Sequence, residues 1–230
     1  MDAAFKQRSL GKARQKGRGG PIKIQRQKLQ KKEKQKKRVV AESLPTLETG
    51  INTLTLPGST TPIHRLIASA LKNSGRKAVW IDAGNTCSTY TMSSAGGKEL
   101  LEKVSIVRAF TAFQHHNAVQ KAEEHLNEGD LVAAPNFSAL YRQGQTSDWE
   151  AEEMLEESWN RLRQLQDELC LCVLIASQDI PDKIKQKSDK RLKVVETGEG
   201  LRYSSTDFTQ DAYRQGKTFQ TTMPFWKSVA

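Results

Sequence analysis

The side chains with the most evident chemistry are the basic ones near the start of the chain. Residues 1–40 contain 15 Lys and Arg against two acids, a formal charge of +13, whereas the other residues contain 21 basic and 24 acidic side chains, a charge of −3. Basic runs of this density neutralise phosphates and release counterions, which gives a salt-sensitive attraction to nucleic acid of any sequence. We expect this contact from Lys12, Arg14, Lys16, Arg18, Lys23, Arg26, Lys28, Lys31, Lys32, Lys34, Lys36, Lys37 and Arg38.

The same segment has almost no side chain that could fill a core. Lys6–Arg38 is dominated by Lys, Arg, Gln and Gly, so the entropy lost on ordering would exceed the gain from burial. We therefore predict a largely disordered basic tail over residues 1–43 and a folded core over residues 44–230. A solubilising tail without a specific partner, or contact with anionic lipid or acidic protein, is the alternative. Lipid is disfavoured because apolar anchors are few.

The histidines and cysteines do not form a recognisable metal site. His115 and His116 are adjacent, so on a helix they point about 100° apart and cannot chelate one ion, which favours packing or capping roles. Cys87, Cys170 and Cys172 form an odd set. This pattern favours reduced thiols in the core over a disulfide or a metal site.

The elements that must position any site begin after the tail. Ile51–Leu56 alternates apolar and polar residues and ends at Pro57-Gly58-Ser59, which predicts a strand and a tight loop. A helix follows, with Thr61 as N-cap, Pro62 at its first position and an apolar stripe from Ile63 to Leu71. A short apolar strand at Ala78–Ile81, ending in Asp82, completes a strand–helix–strand unit.

The alternation of strands and helices continues along the chain. Strands are predicted at Val104–Phe110, Leu131–Ala134 and Leu171–Ala176, and helices at Ala112–Leu126 and Trp149–Leu169. Leu192–Glu196 and Leu201–Ser205 flank Thr197-Gly198-Glu199-Gly200, which predicts a terminal hairpin. Repeated units of this kind predict an α/β fold with a mostly parallel sheet, helices on both faces and a C-terminal hairpin.

Four segments of the core resemble the RecA/RadA family of strand-exchange ATPases, particularly archaeal RadA-like paralogues. They are Ile51–Ser59, Trp80–Cys87, Val107–His115 and Val132–Arg142, and their order and spacing agree with the family over residues 44–205. The resemblance implies a three-layer α/β domain with a phosphate loop. It also implies nucleic-acid contact by the loops after the fourth and fifth strands, where Tyr141 is the candidate stacking aromatic and Arg142 a candidate phosphate ligand. Other basic residues would extend this footprint: Lys185, Lys187, Lys190, Arg191 and Lys193.

The departures from the family bear on catalysis. A working phosphate loop needs a Lys for the β/γ-phosphates and a Ser or Thr for Mg²⁺, and the stretch from Pro57 to His64 has no Lys in any register. The family carboxylate at the second-strand exit matches a position near Gly84, and the metal-ordering Asp-Ser of the fourth strand matches Pro135-Asn136. What remains is a degenerate nucleotide site: Gly58, Ser59, Thr60, Thr61, His64, Arg65 and Asp82.

These observations predict a non-catalytic RecA/RadA-like nucleic-acid-binding protein, accessory to DNA repair or recombination, with DNA favoured over RNA. We expect no metal and no cofactor, and either a RecA/RadA-type protein partner or self-association. The aromatic residues Phe219, Phe225 and Trp226 are expected to pack or to mediate self-association rather than to bind bases. The alternatives are a divergent ATPase that uses ATP and Mg²⁺ with His64 or Arg65 in place of Lys, an RNA-associated adaptor, and an ordinary doubly wound domain. No apolar run is long enough to cross a bilayer, which predicts a cytoplasmic, nucleoid-associated protein that is not secreted.

Overall fold

A computed structural model describes residues 44–72, 74–215, 218–221 and 225–226, with side chains up to Ala212. The predictions for the basic tail and for the C-terminal aromatics Phe219, Phe225 and Trp226 lie outside these described side chains.

One ten-stranded sheet organises the described residues. Its strands are β1 (Gly50–Thr55), β2 (Ala78–Ala83), β3 (Val104–Ala109), β4 (Leu131–Pro135), β5 (Cys172–Ser177), β6 (Lys190–Thr197), β7 (Gly200–Ser204), β8 (Phe208–Gln215), β9 (Thr218–Thr221) and β10 (Phe225–Trp226). The order is β10-β8-β7-β6-β1-β5-β4-β2-β3, with β9 also paired to β8. All pairings from β6 to β3 are parallel, and those from β6 through β10 are antiparallel.

Helices lie on both faces of the parallel part of the sheet. They are α1 (Thr61–Lys72), α2 (Thr89–Gly96), α3 (Ala112–Gln120), α4 (Asp148–Leu169) and α5 (Asp182–Gln186). Successive strand residues point to opposite faces, so Leu54 of β1 joins a core with α1 and α2, and Ile51 joins a second core with α3, α4 and α5. The α/β class and the mostly parallel, helix-flanked sheet are therefore confirmed.

Several local predictions need correction. The helix predicted over Ala112–Leu126 is α3 followed by a 3₁₀ helix at Ala122–His125. The predicted hairpin is β6 and β7, but it is not terminal because β8, β9 and β10 extend the sheet. Cys170 lies at the C-terminal cap of α4 and is exposed, so the prediction that all three thiols lie in the core is wrong. None of the described helices is long and apolar enough to span a membrane.

Candidate functional site

The loops that follow β1 and β5 meet at the carboxyl edge of the parallel strands. Gly58 adopts φ 132° there, and a Cβ atom added to it would lie 3.3 Å from Nε2 of Gln178. Both the positive φ and the close approach favour glycine over residues with a side chain. Gly58 therefore allows the first loop to pass close to the loop after β5.

A hydrogen bond within the first loop joins the hydroxyl groups of Ser59 and Thr61. The Ser59 hydroxyl accepts a bond from the Thr61 N–H across 3.2 Å and donates to the Thr61 hydroxyl across 3.0 Å. The carbonyl of Thr60 accepts from the Ile63 N–H across 3.0 Å. The structure thus brings Gly58, Ser59, Thr60 and Thr61 together, in a turn that satisfies the backbone at the start of α1.

His64 connects this turn to the loop after β2. Its side chain is buried, its Nδ1 lies 2.9 Å from the carbonyl oxygen of Thr60, and its Nε2 lies 2.9 Å from the backbone nitrogen of Ser88. A carbonyl only accepts and an N–H only donates, so the ring is neutral with its proton on Nδ1. Burial lowers the pKa of His64, which agrees with that state. Both ring nitrogens are bonded within the protein, so neither is available to a phosphate.

Asp82 is fully buried at the end of β2 and holds the same second loop. Its carboxylate accepts bonds from the Thr86 N–H and hydroxyl, both across 2.6 Å, and from the Cys87 N–H across 3.2 Å. Arg108 adds an ion pair with 3.6 Å between Nε and Oδ2. A carboxylate with so many internal donors is a structural element of this loop, where Gly84 and Asn85 both have positive φ.

Arg65 lies one position along α1 from His64, so it projects from a different side of the helix. The residue is half-buried. Burial raises the pKa of Tyr203 on β7, and the positive charge of Arg65 partly opposes that rise. This influence places the guanidinium within electrostatic range of β7.

Pro135 occupies the end of β4 without breaking the sheet. Asn136 donates its N–H to the carbonyl of Ala176 across 2.7 Å, so the nitrogen of Pro135 faces the opposite neighbour, β2. Pairing between β2 and β4 has already ended at Ala133, so the missing N–H removes no ladder bond. Asn136 then turns the chain with φ 53°.

Tyr141, the predicted stacking aromatic, lies in the interior of the fold. Its side chain is buried, and its hydroxyl lies 2.8 Å from Nδ1 of His115 and 2.9 Å from the hydroxyl of Ser158. Burial raises the pKa of Tyr141 to about 12. The ring packs between α3, α4 and the 3₁₀ helix at Leu140–Arg142, so stacking on a base would require it to leave this packing, and the stacking role stays a prediction.

Arg142 is exposed and pairs with Asp179 across 2.7 Å. The pair links the loop after β4 to the loop after β5, and each side chain is at least half exposed. Exposed ion pairs contribute little to stability, so Asp179 can be displaced by a phosphate at small energetic cost. The position of Arg142 is compatible with a nucleic-acid contact but is shared with an acid.

The residues present do not fit an ATP–magnesium complex. No Lys stands in the first loop, the imidazole of His64 is neutral and bonded on both sides, and Asp82 is saturated by its own loop. Within the described part of the chain, no group of three or more His, Cys, Asp or Glu side chains is arranged to hold a metal ion. The first loop contains a glycine and leads into a helix, but it lacks the charges that would balance a triphosphate.

No protein-family model matches the chain, and no curated protein is significantly similar to it. The connection between His64 and Ser88 had no sequence signal, because its acceptor is a side chain and its donor a backbone group 24 positions away. The contact of Gln178 with Gly58 was likewise missed, since the two residues are brought together by the pairing of β1 with β5.

Proposed function

We propose that the chain is a non-catalytic nucleic-acid-binding protein with a RecA/RadA-like core, accessory to DNA repair or recombination. The observation that carries the non-catalytic part is that His64 and Asp82 are both occupied by hydrogen bonds within the protein. Phosphoryl transfer depends on positioning and on charge stabilisation, and neither group is free to provide it.

The RecA/RadA-like part is supported by where the resembling segments fall. Ile51–Ser59 covers β1 and the following loop, and Trp80–Cys87 covers β2 and its exit. Val107–His115 spans the end of β3 and the start of α3, and Val132–Arg142 spans β4 and the turn after it. Each segment therefore ends at the carboxyl edge of a parallel strand, where open α/β sheets bind ligands.

The nucleic-acid part is supported by the distribution of charge. All of the net positive charge lies in the first forty residues, and the remainder of the chain is slightly acidic. Such a segment binds through phosphates, which predicts contact with single strands, duplexes and RNA, and a steep dependence on salt. A nucleoid location, a RecA/RadA-type partner and preference for DNA are further parts of this proposal.

The proposal is tested by comparing the full chain with residues 41–230 in fluorescence anisotropy titrations of a labelled single strand, a duplex and an RNA. Deletion of the tail should remove most of the affinity and flatten the slope of log K against log salt. Equal affinity for the two proteins would contradict the role of the tail, and preference for RNA would favour an RNA adaptor.

The main alternative is a divergent ATPase in which His64 or Arg65 replaces the missing Lys. Its test is calorimetric titration with ATP and Mg²⁺, followed by a turnover assay with and without nucleic acid. Turnover that disappears in His64→Ala or Arg65→Ala would establish this alternative. Binding of ATP without turnover would indicate a nucleotide site in a non-catalytic protein.

A further inference from the structure

Beyond the helices that cover β1, one face of the sheet is exposed to solvent at β6. On β6, Leu192 and Val194 point into the core formed with α1, so Arg191 and Lys193 point to the opposite face. That is the face on which α3, α4 and α5 pack, but α5 ends at Gln186 and both basic residues are exposed. The β6–β7 part of this face therefore presents cations to solvent.

The pairing of β6 with β1 and β7 places hydroxyl side chains next to Arg191 and Lys193. Arg191 is paired with Thr53 of β1, and Lys193 is paired with Thr55 of β1 on one side and with Ser204 of β7 on the other. Residues paired across neighbouring strands share a face, so these side chains lie side by side. They line a hollow of about 410 Å³ together with Lys185 and the turn after Ser204.

The hollow carries an excess of positive charge. Lys185 is paired with Asp182 across 3.2 Å, but within the described part of the chain neither Arg191 nor Lys193 forms an ion pair. The neighbouring Lys190 is different, because its ammonium is paired with Glu48. The Thr53 hydroxyl is already bonded to the Ser188 hydroxyl and to the carbonyl of Lys190. Two unpaired cations beside the hydroxyl groups of Thr55 and Ser204 form a site suited to phosphate oxygens.

We infer that this hollow, lined by Arg191, Lys193, Thr55 and Ser204, binds the phosphate backbone of nucleic acid as a contact on the core additional to that of the tail. The inference rests on the proposed function and assigns part of its binding surface. Arg191 and Lys193 are two residues apart on one strand, which separates their backbones by roughly 6.6 Å. That spacing lets the two cations contact different phosphates of one strand.

The test uses the full chain with the double substitution Arg191→Gln and Lys193→Gln. The matched control is Lys121→Gln with Arg163→Gln, which removes the same charge from exposed positions at the end of α3 and on α4. We expect the double variant to bind a labelled single strand roughly tenfold more weakly at low salt, with a log–log salt slope shallower by about 1.4 for two lost phosphate contacts. The control should change affinity much less.

A second measurement does not depend on variants. Bound oligonucleotide should protect Lys193 from an amine-reactive reagent in the full chain, as followed by mass spectrometry, and leave Lys121 unprotected. Equal affinity of the double variant and the control, together with no protection of Lys193, would overturn the inference while leaving the proposed function intact. A wild-type chain that binds no oligonucleotide would overturn both.

The same double variant distinguishes nucleic acid from a lipid surface as the ligand of the hollow. Wild-type and double-variant chains are compared for binding to vesicles that contain phosphatidylglycerol. Loss of vesicle binding with unchanged oligonucleotide binding would assign the hollow to an anionic membrane and overturn the inference.

Discussion

The imidazole of His64 joins two loops that are 24 residues apart, because its Nε2 accepts the N–H of Ser88 across 2.9 Å while its Nδ1 bonds the carbonyl of Thr60 across 2.9 Å. The ring also packs on Trp80, with 4.8 Å between centroids. Ser88 is itself the N-cap of α2, so the interaction fixes the start of α2 against the start of α1. His64 therefore has a structural role, at a position for which the sequence suggested a nucleotide ligand.

Replacement of His64 by Ala should destabilise the core by roughly 2–4 kcal/mol, because it opens a cavity beside Trp80 and leaves the Thr60 carbonyl and the Ser88 N–H without their partner. The measurement is the free energy of unfolding in urea. Lys72→Ala, an exposed change at the end of the same helix, serves as the control and should stay within about 0.5 kcal/mol of wild type. An unchanged unfolding free energy in His64→Ala, with loss of ATP binding, would refute the structural role.

The stability of the fold should decrease as the pH falls, owing to His115. The side chain of His115 is fully buried, and its Nε2 has no hydrogen-bond partner. Burial, and to a smaller extent the charge of His116, lowers the pKa of His115 from 6.5 to about 4. Between these values the unfolded chain binds a proton that the folded chain does not, so stability is complete above pH 6.5 and declines towards pH 4. The full loss is about 3 kcal/mol.

The check on this dependence is a series of urea unfolding curves from about pH 7.5 to about pH 4, for wild type and for His115→Leu. Because the pKa of His64 is also lowered, the wild-type curve contains both contributions, and the variant isolates that of His115. The unfolding free energy of the wild type minus that of His115→Leu should decrease as the pH falls. Parallel pH curves would contradict the prediction.

The strands and the larger helices were predictable because their apolar residues follow patterns that are visible in the sequence. β2, β4 and β5 are apolar runs, β1 alternates apolar and polar residues, and α1 and α4 carry apolar stripes. The bounds of these four strands lie within one or two residues of the predicted ones. Helix α2 was missed because it buries a single residue, Met92, and therefore shows almost no periodicity. Its start is set instead by the Ser88 hydroxyl, which accepts the Thr91 N–H.

The candidate site was only partly predictable, because spacing along the chain does not show which groups are already bonded. The first loop was located correctly, and its lack of Lys is visible in the sequence. Whether His64 could act as a ligand depends on Ser88, and whether Tyr141 could stack depends on His115 and Ser158. These partners come from other elements, so their roles follow from tertiary packing.

Replacement of Tyr141 by Phe should weaken the fold without weakening nucleic-acid binding. The change removes the hydroxyl between His115 and Ser158 and leaves both partners buried, at a cost of about 1–3 kcal/mol. The unfolding free energy and the affinity for a labelled single strand are measured on the same preparation. Lower affinity in a chain of unchanged stability would contradict this prediction and would indicate a contact of the hydroxyl with nucleic acid, because the Phe ring can still stack on a base.

Replacement of Cys170 by Gly should stabilise the protein. Cys170 ends α4 in the left-handed conformation, with φ 50° and ψ 40°, and its N–H bonds the carbonyl of Gln166. A side chain is strained in that conformation and glycine is not, so the gain in unfolding free energy should be about 0.5–1 kcal/mol. Cys170→Ala is the control, because it removes the exposed thiol but keeps the Cβ. If both variants were equally stabilised, the effect would come from loss of the thiol, and relief of backbone strain would be rejected as its cause.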